Sequence, residues 1–155
     1  VAAMASGLTE RDFAGVTAEN AVTTGQKLYA QYGITGVRGQ VEAGLPAVLY
    51  YGLPTLEEGL ARGYDINRSG CGALLEILAN STDTNIIARS SLEVQRGLVE
   101  ELRAFLEKTP YPDAFALSVL DDRFTAENLS PGGSADLLAL TYLLHFFKTE
   151  AANDV

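Results

Sequence analysis

The sequence contains one cysteine, one histidine and few basic residues, and each shortage excludes a class of protein. Cys71 is alone, so no disulfide can form within the chain, which favours a cytoplasmic location. Neither Cys71 nor His145 has a second cysteine or histidine at ligand spacing, so both are interpreted as packing residues. Lysine and arginine total 11 against 20 acidic residues, a formal charge of −9, which argues against nonspecific DNA binding.

Long apolar runs are also missing. No stretch reaches the roughly 20 apolar residues that span a bilayer, and residues 1–8 lack the basic start and apolar core of a signal peptide. We therefore expect neither a membrane nor a nucleic acid as partner. A Walker P-loop and a dinucleotide fingerprint are absent too. With 155 residues, 47% of them hydrophobic, the chain can bury the core of a single domain, 1–155.

Helical periodicity predicts an all-α fold, a multi-helical bundle, since no alternating run is long enough to indicate a strand. Thr9-x-x-Asp12 resembles a capping box at the start of a proline-free helical segment that runs to Tyr29. Residues 135–148 are apolar nearly all round, so we expect this helix to be central and buried. The other predicted helices start at Pro54 and stop near Gly63, start at a cap on Asn67, and cover 91–108 and 114–128.

The most informative polar stretch is Ser130-Pro131-Gly132-Gly133-Ser134-Ala135-Asp136, which leads a loop into the last helix. Ser130 suits the N-cap and Pro131 the first turn, but two glycines there cost about 1 kcal/mol each relative to alanine. Such a backbone predicts close approach to a ligand, because free N–H groups and the helix dipole favour phosphate. Asp136, one turn in, is a candidate metal ligand or proton acceptor. The alternative is an ordinary capped helix whose dipole Asp136 complements.

Two further polar stretches interrupt the apolar background. In the glycine-rich segment 36–44, Arg38 and Glu42 are four residues apart and share a face if the segment is helical; the alternative is a surface ion pair of little weight. In the segment 81–89, Asp83 or Thr82 is expected to cap a helix on which Asn85 and Arg89 share a face. Arg89 could then bind phosphate through two hydrogen bonds.

Taken together, these stretches resemble the triphosphoribosyl-dephospho-CoA synthase family. Three ordered motifs carry the resemblance, which runs from about Thr35 to Phe147: Arg38-Gly39-x-x-Glu42-x-Gly44, Thr82-Asp83-Thr84-Asn85 with Arg89, and Ser130-Pro131-Gly132-Gly133-Ser134-Ala135-Asp136-Leu137-Leu138-Ala139. The resemblance implies an all-α enzyme that transfers triphosphoribose from ATP to 3′-dephospho-CoA and releases adenine. The product is the precursor of the prosthetic group of citrate lyase or malonate decarboxylase.

The resemblance also implies that the chain is the C-terminal part of a larger synthase, because family members carry a further N-terminal half. Gln40 departs from the acidic residue expected there. We therefore expect a partner, either the complementary N-terminal fragment or a second copy of the chain. Two alternatives stay open: a related ATP-using enzyme with another acceptor, and a noncatalytic helical interaction domain.

Breaking the glycosidic bond of ATP requires stabilisation of positive charge at the ribose, a base for the acceptor hydroxyl, and Mg²⁺ for the triphosphate. The candidate catalytic residues are the three carboxylates Asp83, Asp136 and Glu42, of which Asp83 and Asp136 are also candidate Mg²⁺ ligands. The candidate ATP-binding residues are Arg38, Asn85, Arg89, Ser130, Gly132, Gly133 and Ser134.

Overall fold

The computed structural model describes the backbone of residues 2–153 and the side chains of residues 2–151, so both ends of the predicted domain 1–155 lie outside the described residues. Within them there is no β-strand, and the prediction of an all-α fold is confirmed. After a 3-10 turn at Ala2–Met4, the helices are α1 Leu8–Phe13, α2 Thr24–Tyr32, α3 Gly36–Glu42, α4 Leu53–Ala61, α5 Ile66–Ala79, α6 Thr84–Arg89, α7 Leu92–Leu106, α8 Ala114–Ala126 and α9 Gly132–Asn153. None of the described helices is long and apolar enough to cross a membrane.

Side chains in the preceding turns cap most of the helices in the middle of the chain. Ser91 accepts a hydrogen bond from the N–H of Val94 and so begins α7, as its sequence predicts. The cap of α5 is Asp65, whose carboxylate accepts from the N–H groups of Asn67 and Arg68, so the prediction of a cap on Asn67 is wrong by two residues. The boundaries of α4, α7 and α8 agree with the predictions to within two residues.

The first 32 residues depart from the prediction of one continuous helical segment. Helix α1 ends at Phe13, and Gly15 lies in the left-handed region with φ 70°, which turns the chain away. Helix α2 then begins with a capping box formed by Thr23 and Gln26. The predicted capping box at Thr9 is wrong, because the N-cap of α1 is Gly7, which makes no side-chain cap.

Helix α5 lies between two apolar clusters and contacts α4, α7 and α9. One cluster joins α5 to α6 and α7 through buried leucine and isoleucine side chains, among them Leu78, Ile86 and Leu102. The other joins α5 to α9 and to the π-helical turn Val48–Gly52 that precedes α4. The first cluster includes Ile86 near the start of α6, and the second includes Leu137 near the start of α9, so between them they hold those two helix ends in place.

Helix α9 is apolar but only one of its faces is buried, so the prediction of a buried central helix is wrong for the outer face. Leu137 and Thr141 are buried against α5 and the π-helical turn. Leu143, Phe146 and Phe147 are 48%, 52% and 63% exposed, because no described residue covers them. These three residues, at spacings i, i+3 and i+4, form one apolar face that we call the outer face of α9.

Candidate functional site

The amino-terminal ends of α3, α6 and α9 meet around one cleft of about 360 Å³. Four residues predicted from three separate motifs line it: Arg38, Asn85, Gly133 and Asp136. The other lining residues are Leu8, Gly25, Ile34, Thr35, Gly36, Val37, Val41 and Thr84. The motifs are spread over about a hundred residues of sequence, so their convergence is a property of the fold.

Asp83 lies beneath the cleft and is only 1% exposed. Its Oδ1 accepts hydrogen bonds from the N–H groups of Asn85, at 2.9 Å, and Ile86, at 3.4 Å, and so caps α6. Its Oδ2 accepts two more from Ser134, from the N–H at 2.7 Å and from the hydroxyl at 2.8 Å. One carboxylate therefore holds two helix amino termini together, and we call this arrangement the Asp83 clamp.

The clamp changes the interpretation of the entrance to α9. The helix begins at Gly132, and its third N–H, that of Ser134, is bonded by Asp83 from another helix. The predicted N-cap, Ser130, does not take this role, so that prediction is wrong. Ser134 is fully buried, and its hydroxyl and N–H both donate to Asp83, so neither lies free on the described lining of the cleft.

The glycines of the motifs permit close approach between helices. A Cβ on Gly132 would lie 2.3 Å from Nδ2 of Asn85, and one on Gly36 would lie 2.9 Å from Cγ2 of Thr84. Gly36 also has φ 58°, a conformation that side-chain-bearing residues rarely adopt. A Cβ on Gly133 would meet the Asp83 carboxylate at an ordinary 3.4–3.5 Å. The first two glycines therefore bring α3, α6 and α9 close enough to form the cleft.

Arg38 and Glu42 do lie on one helix, as predicted, but they pair with α1 rather than with each other. Arg38 donates a hydrogen bond from Nε to Oδ2 of Asp12 at 2.7 Å, and its guanidinium carbon lies 5.7 Å from the centre of the Phe13 ring. The hydrogen bond from Arg38 lowers the pKa of Asp12 from its usual value.

Glu42 supplies the cap that the sequence of α1 lacks. Its two oxygens accept from the N–H of Gly7 at 2.8 Å, from the N–H of Thr9 at 3.1 Å, and from the Thr9 hydroxyl. The hydroxyl bond from Thr9 is the main cause of a lowered Glu42 pKa, followed by the backbone bond from the same residue. Glu42 does not line the cleft; it holds α1, whose Leu8 does.

Six of the ten predicted residues do not line the cleft: Asp83, Glu42 and Ser134, described above, Gly132, which packs against Asn85, and finally Arg89 and Ser130. Arg89, at the end of α6, donates from Nη1 to Oδ1 of Asn128 at 3.3 Å. Ser130 borders an apolar pocket between α5 and α8. Sequence reasoning in turn missed Thr35, Thr84 and Asp12. Thr84 lies within a quoted motif and Thr35 adjoins the glycine-rich segment 36–44, whereas Asp12 is identified only by its bond to Arg38.

The described residues contain no group of three or more histidine, cysteine or acidic side chains that could hold a metal ion alone. Asp136 is exposed and is the one carboxylate on the described lining of the cleft. Mg²⁺ in nucleotide sites is often held by one or two carboxylates together with water and substrate phosphates. The residues present therefore fit a Mg²⁺ ion that arrives with a triphosphate.

Comparison with known proteins points to the family that the three motifs resemble. Residues 1–154 match the family model for ATP:dephospho-CoA triphosphoribosyl transferase (CitG). The chain is 39% identical over 152 residues to a probable 2-(5″-triphosphoribosyl)-3′-dephosphocoenzyme-A synthase of Pectobacterium carotovorum, covering 97% of this chain and 48% of that relative. The synthase of Pectobacterium atrosepticum is 38% identical over 150 residues, with the same coverage. The chain thus spans about half the length of these relatives, and no solved structure matches it significantly.

Proposed function

The chain belongs to the ATP:dephospho-CoA triphosphoribosyl transferase family, and we propose that it takes part in moving the triphosphoribosyl group of ATP onto 3′-dephospho-CoA with release of adenine. The product would be the prosthetic-group precursor for citrate lyase or malonate decarboxylase. One observation supports this above others: Arg38, Asn85, Gly133 and Asp136, from three separate motifs, line a single cleft. A cytoplasmic location, which the single cysteine favours, is part of the proposal.

We assign the triphosphate of ATP to this cleft. Arg38 is the one cation on its described lining, and a guanidinium can bind phosphate oxygens through two parallel hydrogen bonds. The amino-terminal ends of α3, α6 and α9 add positive dipole ends on the same side of the molecule. Asn85 contributes an amide that can donate to a phosphate or a sugar hydroxyl.

Asp136 is the proposed Mg²⁺ ligand on the protein side. When bound, the ion would offset the negative charge of the triphosphate and help to orient it. In the transfer itself, an acceptor hydroxyl oxygen bonds to C1′ of the ATP ribose while the C1′–N9 bond breaks. Adenine leaves with the electron pair of that bond and takes up a proton, and the hydroxyl gives its proton to a base. Residues 2–151 place no second carboxylate on the cleft, so the base would come from the part of the active site that this chain does not line.

The remaining predicted carboxylates are proposed to position other groups. Asp83 is buried and accepts four hydrogen bonds, so its role would be to fix the ends of α6 and α9. Glu42 would fix α1 at the edge of the cleft. We propose no contact with ATP for Arg89 or Ser130, which lie outside the cleft lining.

We also propose that the outer face of α9 is covered by a polypeptide corresponding to the part of the relatives that this chain does not span. The face carries three half-exposed apolar side chains, and such faces usually mark interaction surfaces. The chain matches only 48% of these two relatives, so about half of their length is available as the source of such a polypeptide. Sedimentation of the chain with and without that polypeptide tests this, and a second copy on the same face is the competing outcome.

Adenine release from ATP tests the whole proposal. The chain, alone and mixed with the remaining part of a relative, is incubated with ATP and Mg²⁺, with and without 3′-dephospho-CoA. Release that depends on 3′-dephospho-CoA is expected. Release that another alcohol supports equally well would indicate a different acceptor, and no release in any mixture would leave a noncatalytic helical domain.

A further inference from the structure

The cleft is the first of three adjoining pockets. It shares Ile34, Thr35 and Gly36 with a second pocket, of about 330 Å³, which Thr82 also lines. Thr82 in turn lines a third pocket of about 330 Å³, between the loop 80–83 and α7. A row of pockets therefore runs from the amino terminus of α9, past that of α6, to the side of α7.

The third pocket carries two arginines, Arg96 and Arg103, which are seven residues apart and so lie on the same side of α7. Among the described residues neither forms an ion pair, although Arg38, Arg62 and Arg123 do. Arg103 donates from Nε to the carbonyl of Ala79 at 2.9 Å, which fixes its position. The described lining of this pocket carries two arginines and one glutamate, Glu100, so in a chain of charge −9 it is a locally positive site that suits an anion.

The small volume of the cleft is a second argument that the acceptor binds elsewhere. A volume of about 360 Å³ is near the lower end of the range for ligand sites, roughly 300–1,000 Å³. It suits one nucleotide, whereas the proposed reaction joins two, ATP and 3′-dephospho-CoA. The acceptor consists of adenosine diphosphate joined to pantetheine, so it carries a diphosphate of its own that needs a second anion site.

We propose that Arg96, with Arg103 beside it, binds the diphosphate of the acceptor, 3′-dephospho-CoA, while ATP occupies the cleft. This assignment rests on the proposed function. It separates the two nucleotides by their anionic groups, with the triphosphate at Arg38 and the diphosphate at α7. Glu100 lines the same pocket and reduces its positive charge, so binding is moderate and sensitive to salt.

Calorimetry of 3′-dephospho-CoA binding to the chain tests the proposal without any need for turnover. Arg96→Gln should weaken binding about 10-fold or more, because a charge-assisted bond to phosphate is lost. Arg96→Lys should fall between this variant and the unmodified chain, and inorganic pyrophosphate should compete. Lys108→Gln is the matched control: it removes the same charge just beyond α7 but lines none of the three pockets, so binding should not change.

Normal binding by Arg96→Gln, an equal loss in Lys108→Gln, or no binding by the unmodified chain would overturn the assignment. ATP binding should be the same in all variants, since Arg96 lies outside the cleft. Adenine release distinguishes the two proposals. If adenine is released but binding of the acceptor does not depend on Arg96, the proposed function stands and this site is rejected. If binding of the acceptor depends on Arg96 but no adenine is released, the site stands and the proposed function is rejected.

Discussion

Arg38, the one cation on the described lining of the cleft, donates a hydrogen bond to the carboxylate of Asp12 over 2.7 Å. A carboxylate of the chain itself thus binds the guanidinium to which the proposed function assigns a phosphate. Any phosphate that binds Arg38 has to share or displace this partner, so the strength of the pair enters the affinity for ATP.

Asp12→Asn is therefore expected to tighten ATP binding about two- to fivefold, the range typical of an exposed ion pair. Calorimetry with ATP and Mg²⁺ measures it. Asp122→Asn, which removes the same charge from an exposed position of α8, should leave the affinity unchanged. Unchanged or weaker binding in Asp12→Asn would show that the pair with Asp12 positions Arg38 for ATP rather than competing with it.

Asp136→Asn tests the proposed metal ligand. Adenine release should fall at least 100-fold at low Mg²⁺ and recover in part at high Mg²⁺, because the apparent Mg²⁺ affinity is reduced. Melting should change little, since the side chain is exposed. If Asp136 only complements the helix dipole, the outcome is the opposite: near-normal turnover and a loss of about 0.3–1 kcal/mol in stability. A fall in turnover that Mg²⁺ does not relieve would assign Asp136 the role of base instead.

Gly132→Ala and Gly133→Ala form a matched pair in the first turn of α9. A Cβ at position 132 would lie 2.3 Å from Nδ2 of Asn85 and push that amide aside, whereas a Cβ at 133 fits. We expect Gly132→Ala to weaken ATP binding about 3- to 10-fold, as for the loss of one hydrogen bond, and Gly133→Ala to have little effect. The loss should vanish when Asn85 is already alanine. A larger side chain, in Gly133→Val, would extend from the Cβ at 133 toward the Asp83 carboxylate, so it should disturb the Asp83 clamp and weaken ATP binding together with stability.

The Asp83 clamp predicts a difference in stability between two variants. Asp83→Asn places an amide NH₂ where the N–H groups of two helices donate, so it should cost about 3 kcal/mol in the free energy of unfolding. Ser134→Ala removes only the hydroxyl bond and should cost about 1 kcal/mol. Denaturant melts measure both. If Asp83→Asn unfolds at the same denaturant concentration as the unmodified chain, the clamp does not hold the two helices.

Acid should release α1. The Glu42 pKa in the folded state is lowered from its usual value of 4.5, so the stability it contributes is fully present above pH 4.5 and is lost as the pH falls through the lower folded pKa. The protection of the Gly7 and Thr9 amides against exchange, measured relative to their intrinsic rates, should fall in that window, because their N–H groups lose the carboxylate acceptor. In Glu42→Gln the protection of the same amides should no longer change there.

The sequence predicts a structural feature well when the residues that determine it are close together in the chain, and poorly when they are far apart. Ser91 and the apolar spacing after it are local signals, and α7 follows them closely. Thr9-x-x-Asp12 has the spacing of a capping box, but Glu42 and Arg38 on α3 compete for the two side chains and bind them. Tertiary contacts thus override a local motif that is correct in composition.

The candidate site shows the same difference between local and long-range features. The resemblance of three motifs predicts which residues gather, and Arg38, Asn85, Gly133 and Asp136 do line one cleft. It does not predict that Asp83 lies beneath the cleft rather than on it. That placement depends on Ser134, 51 residues away, and no local pattern reports a bond over that distance.

The Asp83 clamp also has a consequence for folding kinetics. Capping normally lets a helix end form early, from neighbours in sequence, but the third N–H of α9 acquires its acceptor only after the intervening 50 residues have closed a loop. The Asp83 clamp beneath the cleft should therefore form late and in one step, because it is a non-local contact. Substitutions at Asp83 or Ser134 should then accelerate unfolding while leaving the refolding rate nearly unchanged.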